Sequence, residues 1–215
     1  MPSARVIRFA VKPAVFASSL VPLGLLAHGA STGGLGAKPI EVITHETGDW
    51  TLRFLLLTLA VTPLRALTGW NALIRLRRMI GLFAFFYGCL HLLTYLWLDK
   101  FFSWAEIARD IPRRPFITAG FTAFIVLVPL AATSTAGMIR RLGGRNWQRL
   151  HRLIYLSAIA AVVHYWWLVK ADVSRPRVYA IVLATLLVSR MYVAFGRSRR
   201  ATAPPPSRAS ISARR

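Results

Sequence analysis

The feature that most restricts the fold of this chain is an apolar stretch with two histidines, from Trp147 to Lys170. From Leu153 to Val169 it contains neither a formal charge nor a proline. With its amphipathic ends it is long enough to cross a hydrocarbon layer of about 30 Å as a helix, so it predicts a transmembrane helix. An unpaired polar ring in hydrocarbon costs several kcal/mol, which makes the histidines candidate ligands of a buried group.

The composition indicates several such spans. Of the 215 residues, 55% are hydrophobic and 16% are charged, which is too apolar for one soluble domain. The formal charge of +21 could suggest nucleic acid, but the basic residues lie in short clusters between apolar runs. Positive-inside topology explains that pattern, so no nucleic-acid partner is expected. The chain has one cysteine and no C-x-x-C-H motif, so any haem would be b-type.

Six apolar runs predict an all-α membrane protein built as a six-helix transmembrane bundle. The runs cover residues 8–28, 50–67, 79–98, 116–134, 147–170 and 178–195. We expect loops at 29–48 and 99–115, a transmembrane domain over 1–196, and a disordered basic tail over 197–215. The first run has features of a cleavable signal peptide, but its length and two prolines favour a retained helix.

The distribution of charge predicts the orientation of the bundle. Six spans place both termini on one side. When each Lys and Arg is assigned to the nearer face, 19 of the 28 fall on that side, which is therefore predicted to be cytoplasmic. All seven acidic residues fall on the opposite side. We call the acidic side the outer end of the bundle and the cytoplasmic side the inner end.

Two histidines reach similar depths in this topology. His91 lies about seven residues, or roughly 10 Å, from the outer end of the third span, and His164 lies about four residues, or roughly 6 Å, from that of the fifth. Two neutral imidazoles from facing helices fill both axial positions of a haem iron, which favours electron transfer over oxygen binding. Small residues nearby leave space for a flat macrocycle, although they are also typical of plain helix packing. They are Gly88, Ser157, Ala158, Ala160 and Ala161.

His151 has two interpretations. It lies 13 residues before His164, about 20 Å along a helix, a spacing that suits a second haem stacked across the membrane. In a straight helix, however, the two rings leave different faces, and the third span has Arg77 and Arg78 where an inner partner is needed. The alternative is an interfacial histidine that hydrogen-bonds phosphate or backbone.

Three blocks of sequence together resemble one known family: TPLRALTG at 62–69, RRMIGLFAFFYGCLH at 77–91 and WQRLHRLIYLSAIAAVVHYWW at 147–167. They are similar to the haem-binding membrane subunits of bacterial protein-methionine-sulfoxide reductase systems, MsrQ (also called YedZ), within the ferric-reductase-like transmembrane group. The resemblance implies a b-type haem cytochrome of the bacterial inner membrane, associated with flavin mononucleotide (FMN). It also implies electron transfer from quinol or a cytosolic flavin reductase to a periplasmic molybdopterin subunit that reduces oxidised methionines in proteins.

The same resemblance assigns the histidines. The ligands of the family fall on His91 and His164, with His151 associated with a second haem. Related oxidases and ferric reductases usually have two histidines on each ligand helix, and the inner one of the third helix is absent here. The chain contains no glycine-rich phosphate loop or dinucleotide-binding fingerprint, so we expect nicotinamide oxidation to occur on another protein.

Two other functions stay open from the sequence. One is a cofactor-free membrane anchor or small transporter whose histidines serve as proton relays or packing groups. The other is a self-sufficient ferric or quinone reductase that keeps the haem but needs no partner subunit. An electron relay needs a docking surface at the outer end, and the third loop offers Trp104, Glu106 and Asp110 for one.

Overall fold

The computed structural model describes the backbone of residues 4–202 and the side chains of residues 5–193, and this part of the chain is helical without strands. Short segments Ala4–Val6 and Ile7–Val11, the second π-helical, lead into the first long helix. The longer helices, in chain order, are α1 Lys12–Thr32, α2 Pro39–Thr68, α3 Ile74–Leu93, α4 Trp104–Arg113, α5 Pro115–Ala132, α6 Ala136–Leu142, α7 Gly144–His151, α8 Ile154–Leu168 and α9 Ser174–Thr202. A 3₁₀ turn, Asn71–Leu73, precedes α3, and the π-helical segment Thr94–Asp99 continues it.

Five helical segments of the described chain are long and apolar enough to cross a membrane. They are Ile7–Thr32, Pro39–Thr68, Asn71–Asp99, Pro115–Ala132 and Ser174–Val193. Together they confirm a multi-pass membrane protein of the all-α class, and each contains most of one predicted span. The count of six transmembrane helices stays a prediction, because the remaining predicted span does not form one helix.

The prediction of a single helix over 147–170 is wrong. The chain forms α7 and α8 instead, separated by a tight turn in which the Leu153 N–H donates to the Leu150 carbonyl oxygen at 3.0 Å. The two halves suit different surroundings, since α7 carries Arg145 and Arg149 whereas α8 has no charged residue. Helix α8 has 15 residues, fewer than the roughly 20 that span a bilayer.

Two predicted loops are partly helical. Residues 39–48 belong to α2, which begins at Pro39, a residue whose fixed φ suits the first helical position. Much of the segment 99–115 forms α4, an amphipathic helix that buries Ile107 against the bundle. Helix α9 continues to Thr202, past the predicted start of the tail at 197, and residues 203–215 lie outside the described part of the chain.

The first helix packs as part of the bundle. Aromatic side chains of α2 and α3 stack in the core, with ring centres of Phe54 and Tyr87 5.4 Å apart and those of Phe54 and Phe83 5.6 Å apart. The hydroxyl of Tyr87 donates to the Ser19 carbonyl oxygen at 2.8 Å. Phe16 also contacts Phe83, with ring centres 5.3 Å apart, so α1 is joined to α3 by a polar and an apolar contact.

A buried arginine stabilises the inner part of the bundle. Pro63 in α2 has no N–H, so the Leu59 carbonyl oxygen lacks its usual helical donor. Arg190 of α9 replaces it, since its Nε donates to that oxygen at 3.0 Å. Its other nitrogens donate to the Tyr155 hydroxyl at 2.6 Å and to Thr62 Oγ1 at 2.9 Å. In a membrane a backbone group freed by proline needs such a replacement, and here it joins α2, α8 and α9.

Candidate haem site

Two histidines meet between α3 and α8 near the outer end of the bundle. His91 comes from the last turn of α3 and His164 from the last part of α8, and their ring centres lie 5.9 Å apart. The planes of the rings are inclined by 77°. The structure therefore brings together the two histidines that the sequence places at similar depth.

A backbone carbonyl orients each ring. Nδ1 of His91 lies 2.9 Å from the Thr44 oxygen, and Nδ1 of His164 lies 2.6 Å from the Phe116 oxygen. A carbonyl oxygen can only accept, so each Nδ1 carries the hydrogen and donates it. The lone pair of each neutral ring is then on Nε2. A fixed Nδ1–H and a free Nε2 are the usual arrangement of a histidine that binds a metal.

The histidines face a cavity of about 310 Å³. Its inner part is apolar and is lined by Leu52, Leu55, Phe124 and Leu127, which lie further inward along α2 and α5 than the residues of the mouth. The mouth is polar and is lined by Glu46, Asp49, Asp99, Arg114 and Arg175, among others. An apolar pocket with a few polar groups at one end is typical of a cofactor site.

Two glycines make room for the histidine rings. A Cβ atom at Gly120 would lie 2.8 Å from His164 Nδ1, and one at Gly48 would lie 3.0 Å from His91 Cε1. The first of these distances is too short for any side chain without movement of the ring. The sequence does not point to either glycine, because Gly48 falls in a predicted loop and Gly120 lies on a helix that carries no candidate ligand. A glycine facing each histidine across the bundle becomes visible only when the helices are packed.

The residues present fit a haem. Within the described residues no group of three or more His, Cys, Asp or Glu could hold a metal ion by itself. A haem needs only two protein ligands, one on each face, because the porphyrin supplies the others. Bonds from a metal to imidazole nitrogen are about 2.0–2.1 Å long, so rings with centres 5.9 Å apart are close enough to hold one ion between them. His91 and His164 are therefore the two residues that would hold a haem here.

His151 lies at the inner end in different surroundings. Its Nε2 is 3.1 Å from Thr133 Oγ1, and its ring stacks on Trp147 with centres 3.9 Å apart. Trp147 Nε1 in turn donates to the Thr133 carbonyl oxygen at 2.9 Å. Because α7 and α8 are separate helices, the straight-helix argument about the directions of the two rings no longer applies. These contacts favour the interfacial interpretation with a side-chain partner, and a second haem at His151 stays a prediction.

The small residues predicted near the haem serve two purposes. Gly88 and Ala161 line the cavity, as expected of residues that leave space for a macrocycle. Ser157 and Ala158 are completely buried instead, and the Ser157 hydroxyl donates to the Ala123 carbonyl oxygen at 2.9 Å. That hydrogen bond joins α8 to α5, so this part of the pattern reflects helix packing.

Two of the three residues proposed for docking already contact Lys100, and Asp110 is held more closely than Glu106, whose Oε2 lies 3.9 Å from Lys100 Nζ. Asp110 lies 2.8 Å from Lys100 Nζ and 3.6 Å from the Arg114 guanidinium, and it accepts a hydrogen bond from the Tyr95 hydroxyl at 3.3 Å. The hydrogen bond from Lys100 holds the pKa of Asp110 below its ordinary value. Asp110 therefore stabilises the third loop. Trp104, in contrast, is 66% exposed.

Comparison with known proteins gives consistent matches. Residues 47–162 match the family described as the ferric reductase like transmembrane component, a segment that contains His91 and His151 and ends two residues before His164. Curated relatives carry the name protein-methionine-sulfoxide reductase heme-binding subunit MsrQ, and three of them illustrate the match. That of Herminiimonas arsenicoxydans is 54% identical over 187 residues, 86% of each chain. That of Azospira oryzae is 58% identical over 179 residues, 83% of this chain and 77% of the relative. That of Rhodospirillum rubrum is 52% identical over 191 residues, 89% of this chain and 92% of the relative.

Proposed function

This chain belongs to the family of haem-binding subunits of protein-methionine-sulfoxide reductase, MsrQ, within the ferric-reductase-like transmembrane group, and we propose that it relays electrons through one b-type haem held by His91 and His164. The acceptor is a periplasmic molybdopterin subunit that reduces methionine sulfoxide in proteins. The membrane is the bacterial inner membrane, and the donor is quinol or a cytosolic flavin reductase. The names of the relatives mention haem and not flavin, so FMN stays a prediction without an assigned site.

One observation carries the proposal. The ring centres of His91 and His164 lie 5.9 Å apart, and in each ring Nδ1 donates to a backbone carbonyl oxygen while Nε2 is free. Two imidazole ligands leave no open position for oxygen or a substrate, so the chemistry supplied by the haem is one-electron oxidation and reduction of its iron. This observation favours the relay over a cofactor-free anchor or transporter.

The chain contributes position, electronic tuning and exclusion of water. The carbonyl oxygens of Thr44 and Phe116 fix the two rings and, through the Nδ1–H groups, make each Nε2 a better donor to a metal. The apolar inner part of the cavity keeps water away from the site. The polar mouth lies toward the outer end, so the site is near the surface on which a periplasmic partner would dock.

The experiment is a reoxidation measurement. The purified protein is reduced with a quinol analogue and mixed with the oxidised catalytic subunit in a stopped-flow spectrophotometer, at several concentrations of that subunit. We expect the haem absorbance to return to the oxidised spectrum at a rate that rises with subunit concentration. A reduced haem that the subunit never reoxidises would contradict the relay, whereas oxidation by ferric chelates or quinone alone would favour a self-sufficient reductase.

Docking is tested on the same reaction. The structure leaves Trp104 and Glu106 exposed on α4, so their joint replacement by alanine should slow reoxidation by the subunit without changing the haem spectrum. The matched control replaces the exposed Arg5, which lies in the short segment Ala4–Val6 at the predicted inner end. An unchanged rate in the Trp104 and Glu106 variant would place docking elsewhere on the outer surface.

A further inference from the structure

We propose that Arg114 and Arg175 bind the two carboxylates of the haem at the mouth of the cavity. The inference depends on the proposed function, since it assumes that the haem lies between His91 and His164. It adds the orientation of the haem within the cavity and assigns two binding residues that the sequence alone did not identify.

The polarity of the cavity restricts how a haem can enter. A haem b carries two propionate groups on one edge, and the opposite edge is apolar. Leu55, Phe124 and Leu127 line the inner part, and burying a carboxylate among such side chains without a partner is strongly unfavourable. The propionate edge must therefore point toward the mouth.

The mouth offers two guanidinium groups from different parts of the chain. Among the lining residues, Arg114 and Arg175 are the only formal cations. Arg114 immediately precedes α5, and Arg175 lies in the first turn of α9. Two arginines for two carboxylates is the simplest pairing, because a guanidinium binds a carboxylate in a planar, often bidentate geometry.

Neither arginine is fully used within the chain. Arg114 lies 3.6 Å from Asp110, but Asp110 has a closer cation in Lys100 at 2.8 Å. Arg175 lies 3.9 Å from Asp49, but Asp49 has a closer cation in Arg53 at 3.3 Å. The side chains of Arg114 and Arg175 are 51% and 75% exposed, so both can turn toward a ligand at the mouth.

The acidic residues of the mouth make the arginines more necessary. Glu46, Asp49 and Asp99 also line it, and each repels a haem carboxylate. Asp49 is offset by Arg53 at 3.3 Å, whereas Asp99 has Lys100 only at 3.9 Å. Without the two guanidinium groups, the propionates would meet carboxylates of the same charge and no cation from the lining of the cavity.

The test measures haem affinity in the full-length protein. Protein prepared without haem is titrated with haem and, separately, with haem dimethyl ester, in which both propionates are neutral. Arg114→Gln and Arg175→Gln are compared with Arg113→Gln and Arg177→Gln, exposed neighbours that do not line the cavity. Because these are partly exposed ion pairs, we expect each lining variant to bind haem roughly fivefold more weakly, and each control to bind normally.

The ester separates a propionate contact from a structural effect. If the arginines bind the propionates, the lining variants should bind haem dimethyl ester as well as the unmodified protein does. They should also show a lower reduction potential with ordinary haem, since a cation near the iron has been removed. Equal affinities for haem in all variants, or the same weakening with the ester, would overturn the proposal. An unmodified protein that binds no haem would instead overturn the proposed function.

Discussion

The outer and inner ends of the bundle both contain histidine, yet the histidines differ in the partners of their ring nitrogens and in the presence of a cavity beside them. At the outer end His91 and His164 face each other with Nδ1 held by carbonyls, Nε2 free and a cavity beside them. At the inner end His151 has its Nε2 against the Thr133 hydroxyl and its ring against Trp147. A histidine in an apolar segment is thus a sign of a polar contact, and the orientation of the ring distinguishes a histidine whose Nε2 is free from one whose Nε2 already has a protein partner.

The two ends also differ in how buried charge is satisfied. The inner end has no acidic residue by the predicted topology, and Arg190 is buried there against hydroxyl and carbonyl oxygens. The outer end pairs opposite charges, as in the cluster of Lys100 and Asp110. A buried cation whose hydrogen bonds are all made to neutral oxygens of neighbouring helices holds those helices together. Cations at a cavity mouth that lie 3.6–3.9 Å from carboxylates can still bind a further anion.

The largest expected effect comes from removing one axial ligand. His91→Ala or His164→Ala should reduce the haem content of the purified protein by more than about tenfold, because each change removes one of two strong ligands. His151→Ala is the matched variant at the inner end and should keep the outer haem. Haem is quantified per chain after purification under identical conditions. Equal losses of haem in all three variants would contradict the claim that only the outer histidines hold the haem.

The next effect tests the space around the rings. Gly120→Ala should disturb His164 and Gly48→Ala should disturb His91, with the larger effect at Gly120, where the added Cβ comes within 2.8 Å of Nδ1. Overpacking of this kind costs about 1–3 kcal/mol. Gly24→Ala, whose Cβ would meet nothing within 4 Å, is the control. Haem titration reports the result, and normal affinity in the Gly120 variant would show that the ring can move freely.

A third prediction concerns stability at the inner end. Arg190→Gln should lower the free energy of unfolding by about 1–3 kcal/mol, because the Leu59 carbonyl oxygen loses its replacement donor. In a Pro63→Ala background the new N–H can donate to that oxygen, so the same change should cost less. Thermal unfolding in detergent gives the stability of the unmodified protein, the two single variants and the double variant. Equal costs in both backgrounds would show that the proline is not the reason for the arginine contact.

The smallest expected effect is a pH dependence of α4. The pKa of Asp110 is lowered by its hydrogen bond from Lys100, so the stabilising contribution of Asp110 is present above its unfolded-state pKa and is lost as the pH falls through the lowered folded-state value. Amide hydrogen exchange in α4, corrected for intrinsic rates, should increase as the pH falls in that acidic range. Asp110→Asn should abolish this change, and an identical pH profile in the variant would assign it to another group.

The sequence predicts the proximity of His91 and His164 better than it predicts the shape of the helices that carry them. The depths of His91 and His164 follow from the helix rise and the charge asymmetry. These depths are similar, and the structure brings the two rings together as predicted. The sequence does not predict the break after His151, because apolar and basic residues continue across it. The turn contains no glycine or proline, which are the residues that usually mark a helix end. The partners of the rings were missed for another reason. Thr44 and Phe116 act through backbone oxygens, which any residue type could supply.

The most direct test of the account is the haem content and axial ligation of the unmodified protein. Haem is quantified per chain, and electron paramagnetic resonance of the oxidised form reports the ligands. The account predicts one haem per chain, low-spin with two imidazoles, and the same signal in His151→Ala. A folded protein without haem, or a low-spin haem that persists when His91 and His164 are both replaced by alanine, would contradict it.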